Sequence, residues 1–163
     1  MYKRINYEIN TSIIPSNAVY DVQLHIVYRP ERLDTVMVEL HSSDILFFIL
    51  DKVYPFKPPG VTVSKTNNIN DGIDYISYFT KLNGNIINYM CDKLKIQCLC
   101  CDTILCNNLW KPTFNMNIII NEFIKRKNTV KEWYIKESLK TITNKFNIYD
   151  NYLIDHIFQF YTT

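Results

Sequence analysis

Three prolines fall within five residues, at Pro55, Pro58 and Pro59, and they limit what the chain around them can become. Proline fixes φ and withholds a backbone donor, so Tyr54 to Pro59 cannot sit inside a sheet ladder. The segment must leave any sheet as a stiff, extended crossover. On either side lie the apolar runs Ile45 to Leu50 and Val61-Thr62-Val63, each short enough to be a strand. Upstream the pattern has period two. Val22, Leu24, Ile26 and Tyr28 alternate with Gln23 and His25, and beyond Pro30 the residues Val36, Val38 and Leu40 alternate with Met37, Glu39 and His41. Ser42-Ser43-Asp44 supplies turn chemistry between the second and third runs. Four short strands with short connections form an antiparallel meander, with one face left for helices to cover. The fold class is therefore α+β: a four-stranded meander flanked by helices.

The helical signals lie at both ends. Ile5, Ile9 and Ile13 make one stripe of a short helix stopped by Pro15. After a polar loop over 66–72, Ile73, Ile76, Phe79 and Leu82 predict a helix ending at Asn83-Gly84-Asn85. Ile86, Ile87, Met90, Cys91 and Leu94 predict another. Asn115 is placed to cap a helix that turns Met116, Ile119, Ile120, Phe123 and Ile124 inward. That helix is expected to end in Lys125-Arg126-Lys127, a charge run favourable at a C-terminus and needing no ligand. Thr129 and Glu132 have the spacing of a capping box, which predicts a separate helix through Ile135, Leu139, Ile142 and Phe146. Asp150 caps a last one bearing Leu153, Ile154, Ile157, Phe158 and Tyr161.

With 163 residues, 47% of them hydrophobic, the chain suits one domain spanning 1–163 with a real core. A net charge of +2, scattered outside residues 125–127, is too weak a field to argue for nucleic acid. No apolar run approaches the length that spans a bilayer, and no apolar stretch follows Met1-Tyr2-Lys3-Arg4, so no membrane is expected. The expected setting is intracellular and reducing, cytoplasmic or nuclear.

Four of the five cysteines crowd into Cys98 to Pro112. In a reducing compartment such thiols serve metal binding or catalysis before disulfides. Cys91, on an apolar helical face, reads as a small buried hydrophobe. Cys98-x-x-Cys101 has zinc-ligand spacing and Cys106 offers a third thiolate, but no fourth ligand stands at a standard distance. The three histidines fall in strands or the last helix, so no metal or cofactor is assigned. Cys98, Cys100 and Cys101 are too crowded to face a core together.

In order, these pieces resemble the ubiquitin-conjugating enzyme family. The resemblance is carried by Tyr54-Pro-Phe-Lys-Pro-Pro-Gly-Val61 and by Trp110-Lys111-Pro112 ahead of a helix, with Lys3-Arg4-Ile5 similar to the family's basic first helix. It reaches to residue 127 and leaves 128–163 as a C-terminal helical extension. Helices over 73–95 then stand between the sheet and the active cysteine. The resemblance implies a carrier that holds ubiquitin or a ubiquitin-like modifier as a thioester, loaded by an activating enzyme and discharged to a ligase or a lysine. Cys101-Asp-Thr-Ile104-Leu105 matches the family's nucleophile segment, which makes Cys101 the nucleophile and Cys100 the reserve. Phe56 and Pro112 inherit the ligase-facing surface, and Lys3 and Arg4 the contact with the activating enzyme. The family's His-Pro-Asn does not occur here, which leaves Asn107 or Asn108 to supply an oxyanion donor. It also keeps open a second expectation, an inactive variant that binds ubiquitin or a ligase, beside a zinc-stabilised interaction domain.

Overall fold

The computed structural model describes residues 4, 8, 23–28, 34–40 and 43–146. Arg4 and Glu8 are both helical, whereas the stripe Ile5, Ile9 and Ile13, the residue Lys3 and the helix expected after Asp150 lie outside the described residues.

The four expected strands are present as β1 (Gln23–Tyr28), β2 (Asp34–Glu39), β3 (Ile45–Leu50) and β4 (Gly60–Ser64). They run antiparallel in sequence order, with Val36 opposite Phe48, Val38 opposite Leu46, and those two β3 residues opposite Val61 and Val63. This register gathers Val36, Val38, Leu46, Phe48, Val61 and Val63 into the main core. The unbroken apolar run of β3 has a second reason. Ile45 and Phe47 join Met37 in a small cluster of their own, partly covered by Ile69, so β3 is buried on both faces.

A fifth strand was not anticipated. β5 (Ile73–Asp74) extends the sheet by pairing Asp74 with Thr62 and Ile73 with Val63. Gly72 permits that approach, since a Cβ there would meet Thr62 Cγ2 at 2.2 Å. The helix expected from Ile73 begins two residues later, as α1 (Tyr75–Thr80). Asp74 caps it, accepting from Ser77 N at 3.0 Å. Tyr75, in place of Ile73, takes the buried position beside Phe79. The next helix, α2 (Gly84–Leu94), stands where its periodicity put it.

Two further expectations are corrected. The proline segment is not an extended crossover but a pair of tight turns, with Tyr54 N on Asp51 O at 2.9 Å, Phe56 N on Val53 O at 2.8 Å, and a cis Tyr54–Pro55 bond. The turns point Tyr54 inward and Phe56 outward. Secondly, Lys125-Arg126-Lys127 ends nothing. A single helix, α3 (Met116–Phe146), runs 31 residues through that point. Thr129 does not cap: it is buried, and its hydroxyl donates to Lys125 O at 2.9 Å within the helix. Glu132 reaches across to Lys93 on α2 at 3.1 Å. Asn115 does cap α3, accepting from Ile118 N at 3.2 Å. No helix among the described residues is long and apolar enough to cross a membrane.

Candidate functional site

α2 ends on Lys95, whose left-handed φ of 58° turns the chain while Ile96 N returns to Cys91 O at 3.0 Å. From there to Pro112 the backbone has no helix or strand and runs through turns and bends. Such a stretch needs partners for its polar groups, and Asp102 supplies the first. Its carboxylate accepts from Gln97 N at 2.7 Å and Cys98 N at 2.9 Å, while Asp102 N donates to Cys98 O at 3.0 Å.

The second set comes from α3. Arg126, 2% exposed, donates to Leu99 O at 2.9 Å and Asp102 O at 3.2 Å and pairs with Glu122 at 2.7 Å. The other oxygen of Glu122 accepts from Ile104 N at 3.0 Å. The guanidinium lies over the rings of Tyr75 and Phe79, 5.8 and 5.5 Å from their centroids. A buried charge is tolerable only when paired and hydrogen-bonded, and here the partners are the backbone of the cysteine loop. The charge run expected at a helix C-terminus is thus split: Lys125 is exposed, Arg126 binds the loop, and Lys127 pairs with buried Asp44 at 3.1 Å.

Trp110 joins this loop to the proline turns. Its ring is buried against Tyr54 and Phe114, and its Nε1 donates to Pro55 O at 2.7 Å. Tyr54 in turn donates its hydroxyl to the buried carboxylate of Glu8, which also pairs with Arg4 and accepts from Met116 N at 3.1 Å. Glu8 therefore ties Arg4, the proline segment and the start of α3 together. Burial and the Glu8 hydrogen bond push the Tyr54 hydroxyl well above its ordinary range.

Leu99 is buried, and the cysteines around it are not. Cys98 and Cys100 are half-buried with sulfurs 2.6 Å apart, and exposed Cys101 lies 3.5 Å from Cys100. All three sulfurs lie within 4.8 Å of one another, a group that could hold a metal ion; Cys106 is not part of it. Ligand spacing pairs Cys106 with Cys98 and Cys101; the turn brings in Cys100 instead. The thiols are not equivalent. A hydrogen bond from Cys100, then the amides of Cys100 and Cys101, pull Cys98 down to about 7. Hydrogen bonding with Cys100 and then Cys98 pushes Cys101 up to about 12. The most exposed sulfur is therefore not the most acidic. Cys91 packs against the core as expected, and burial raises its pKa.

Of the residues assigned to partners, Phe56 is 74% exposed and Pro112 is exposed. Arg4 is engaged within the molecule, on Glu8 and on Phe114 O at 3.3 Å. Asn107 and Asn108 lie exposed on turns.

No protein-family model, curated protein or solved structure matches this chain. What it does must be argued from the site itself.

Proposed function

We propose that this chain is an acyl carrier of the ubiquitin-conjugating type, which holds ubiquitin or a related modifier as a thioester on Cys101. The observation that carries the reading is the 2.7 Å bond from Trp110 Nε1 to Pro55 O. Its two ends belong to the two sequence motifs on which the resemblance rests, 55 residues apart, and the bond holds them together. Nine residues before Trp110, Cys101 is the exposed thiol of a loop whose backbone is fixed by buried Arg126. A fixed, accessible nucleophile is what acyl transfer needs, because the reacting atoms must come within about 3 to 3.5 Å.

In the loading step the Cys101 sulfur attacks the thioester carbonyl carbon carried by the activating enzyme. Because the thiolate is the nucleophile and the loop holds Cys101 as a thiol, Cys101 first gives its proton to solvent; a new C–S bond then forms, the old one breaks, and the departing thiolate takes up a proton. Discharge reverses this toward a ligase cysteine, or gives an amide with a lysine. Phe56 and Pro112 form the ligase-facing surface in this reading, and Lys3 and Arg4 are assigned to the activating enzyme.

Incubation with activating enzyme, ATP and ubiquitin, read on a non-reducing gel, tests it. A reductant-sensitive adduct is expected from the unaltered chain and is lost in Cys101→Ser. Cys98→Ser and Cys106→Ser retain it, and Cys100→Ser reduces it at most. Loss in Cys100→Ser or Cys98→Ser with retention in Cys101→Ser moves the nucleophile to that residue. No adduct with any of several modifiers overturns the carrier reading in favour of a binding module.

A further inference from the structure

Acyl transfer needs one thiol, yet the loop places three sulfurs together. Leu99 is drawn into the core, and its carbonyl is bound by Arg126 at 2.9 Å. With residue 99 held inward, Cys98, Cys100 and Cys101 converge until all three sulfurs lie within 4.8 Å of each other. We propose that these three cysteines form a thiolate site for a zinc ion, with the fourth coordination position open to solvent on the side of Cys101.

The geometry suits this cation. Zinc takes thiolate ligands at about 2.3 Å in a tetrahedron, which sets sulfur-to-sulfur edges of about 3.8 Å. The separations of 2.6 Å for Cys98 to Cys100 and 3.5 Å for Cys100 to Cys101 reach that value by opening the side chains outward. Soft sulfur donors select zinc over calcium or magnesium. A supporting shell is also present. Cys100 N points at Cys98 Sγ from 3.4 Å, a donor of the kind that orients metal ligands, and Asp102 holds Cys98 N at 2.9 Å. One Zn²⁺ replaces three thiol protons, which pass to solvent, and leaves a single negative charge on the site. Cys106 stands outside the group, its amide bound to Thr103 O at 2.9 Å.

Zinc binding and the carrier reading compete for Cys101, because a sulfur bound to zinc is not free to attack a thioester; the test contains neither modifier nor activating enzyme, so it is read separately from the adduct assay. The full chain, reduced and stripped with a chelator, is titrated with Zn²⁺, desalted, and its metal content measured. About one equivalent is expected to remain. Maleimide alkylation mapped by mass spectrometry on the unaltered chain then shows zinc protecting Cys98, Cys100 and Cys101 but not Cys106. Cys100→Ser loses the retained zinc, and Cys106→Ser keeps it. Absence of retained zinc overturns the proposal, as does protection that includes Cys106 and leaves Cys100 reactive. If Cys100→Ser fails to fold, the protection pattern of the unaltered chain decides alone.

Discussion

Arg126 donates to the carbonyl of Leu99 across 27 residues of sequence, at 2.9 Å and with both groups buried. Because the same guanidinium also serves Asp102 O and Glu122, its removal strands a partly buried carboxylate and two loop carbonyls together. Breaking a buried pair in this way costs about 3–5 kcal/mol, so Arg126→Met should lose about that much in urea denaturation. Arg126→Lys should recover only a part, since a point charge cannot span the three acceptors that the planar fork does. A loss under about 1 kcal/mol for Arg126→Met, the size of an ordinary surface change, means the loop is held by something else.

The node at Tyr54 makes a pH prediction with a definite sign. Burial, then the hydrogen bond to Glu8, hold the Tyr54 hydroxyl protonated far into the alkaline range, whereas in the unfolded chain a tyrosine ionises near about 10. Above that pH the unfolded state binds fewer protons than the folded one, so stability falls as pH rises. The contribution is complete below about pH 10 and is lost progressively above it. Tyr75, shielded by burial and facing Glu122, shifts in the same direction. Tyr54→Phe should cost about 1.5–3 kcal/mol at neutral pH, as for a hydrogen bond to a charged group. It should also show a shallower alkaline decline than the unaltered chain; urea midpoints followed from neutral pH to about 11 check both. Equal slopes exclude Tyr54 as a source of that decline.

The strands were legible because a sheet residue's side is set by parity alone, and the alternation at Val36, Val38 and Leu40 survives any tertiary detail. Trp110 was readable as an anchor for a similar reason, since a large ring beside an irregular segment has few other places to go. Arg126 was not, because a charge inside Lys125-Arg126-Lys127 looks solvated. Its signal was positional: it follows Met116, Ile119, Ile120 and Phe123 on the buried stripe and stands four residues after Glu122. Tyr75 was missed by a shift of helix phase that Asp74 and Ser77, as cap and acceptor partner, could have corrected. The cysteine grouping was misjudged for another reason. Ligand spacing favours Cys98 with Cys101 and Cys106, but burial of Leu99 is what selects Cys100, and no spacing rule contains it.

Continuity of α3 past residue 128 is open to a direct test at Val130, which is partly buried against the core. Were Thr129 a helix cap, Val130 would be the first helical residue, where proline is well tolerated. In the middle of a helix proline removes a hydrogen bond and clashes with the preceding turn, at about 3 kcal/mol or more. Val130→Pro is therefore expected to lower stability by at least that amount, with Val130→Ala as the control for lost packing. A proline variant no worse than the alanine one restores the break at 129.

Phe56 tests whether the proline turns serve a partner. At 74% exposure its ring contributes little to the core, while neighbouring Tyr54 and Pro59 are buried. An exposed contact changes stability by about 0.5 kcal/mol at most, which for a chain of this size is about 2 °C in the thermal midpoint. Phe56→Ala should stay within that limit. If the carrier reading holds, the same variant keeps its thioester adduct, because Cys101 and the Arg126 contacts are untouched, but discharges more slowly when a ligase is added. Truncating an aromatic anchor in an interface commonly costs 1–2 kcal/mol or more of binding, so ligase-stimulated discharge at sub-saturating ligase should fall by about tenfold. Unchanged discharge with an unchanged midpoint removes Phe56 from the interface, and a fall in the midpoint of many degrees makes it a structural residue instead.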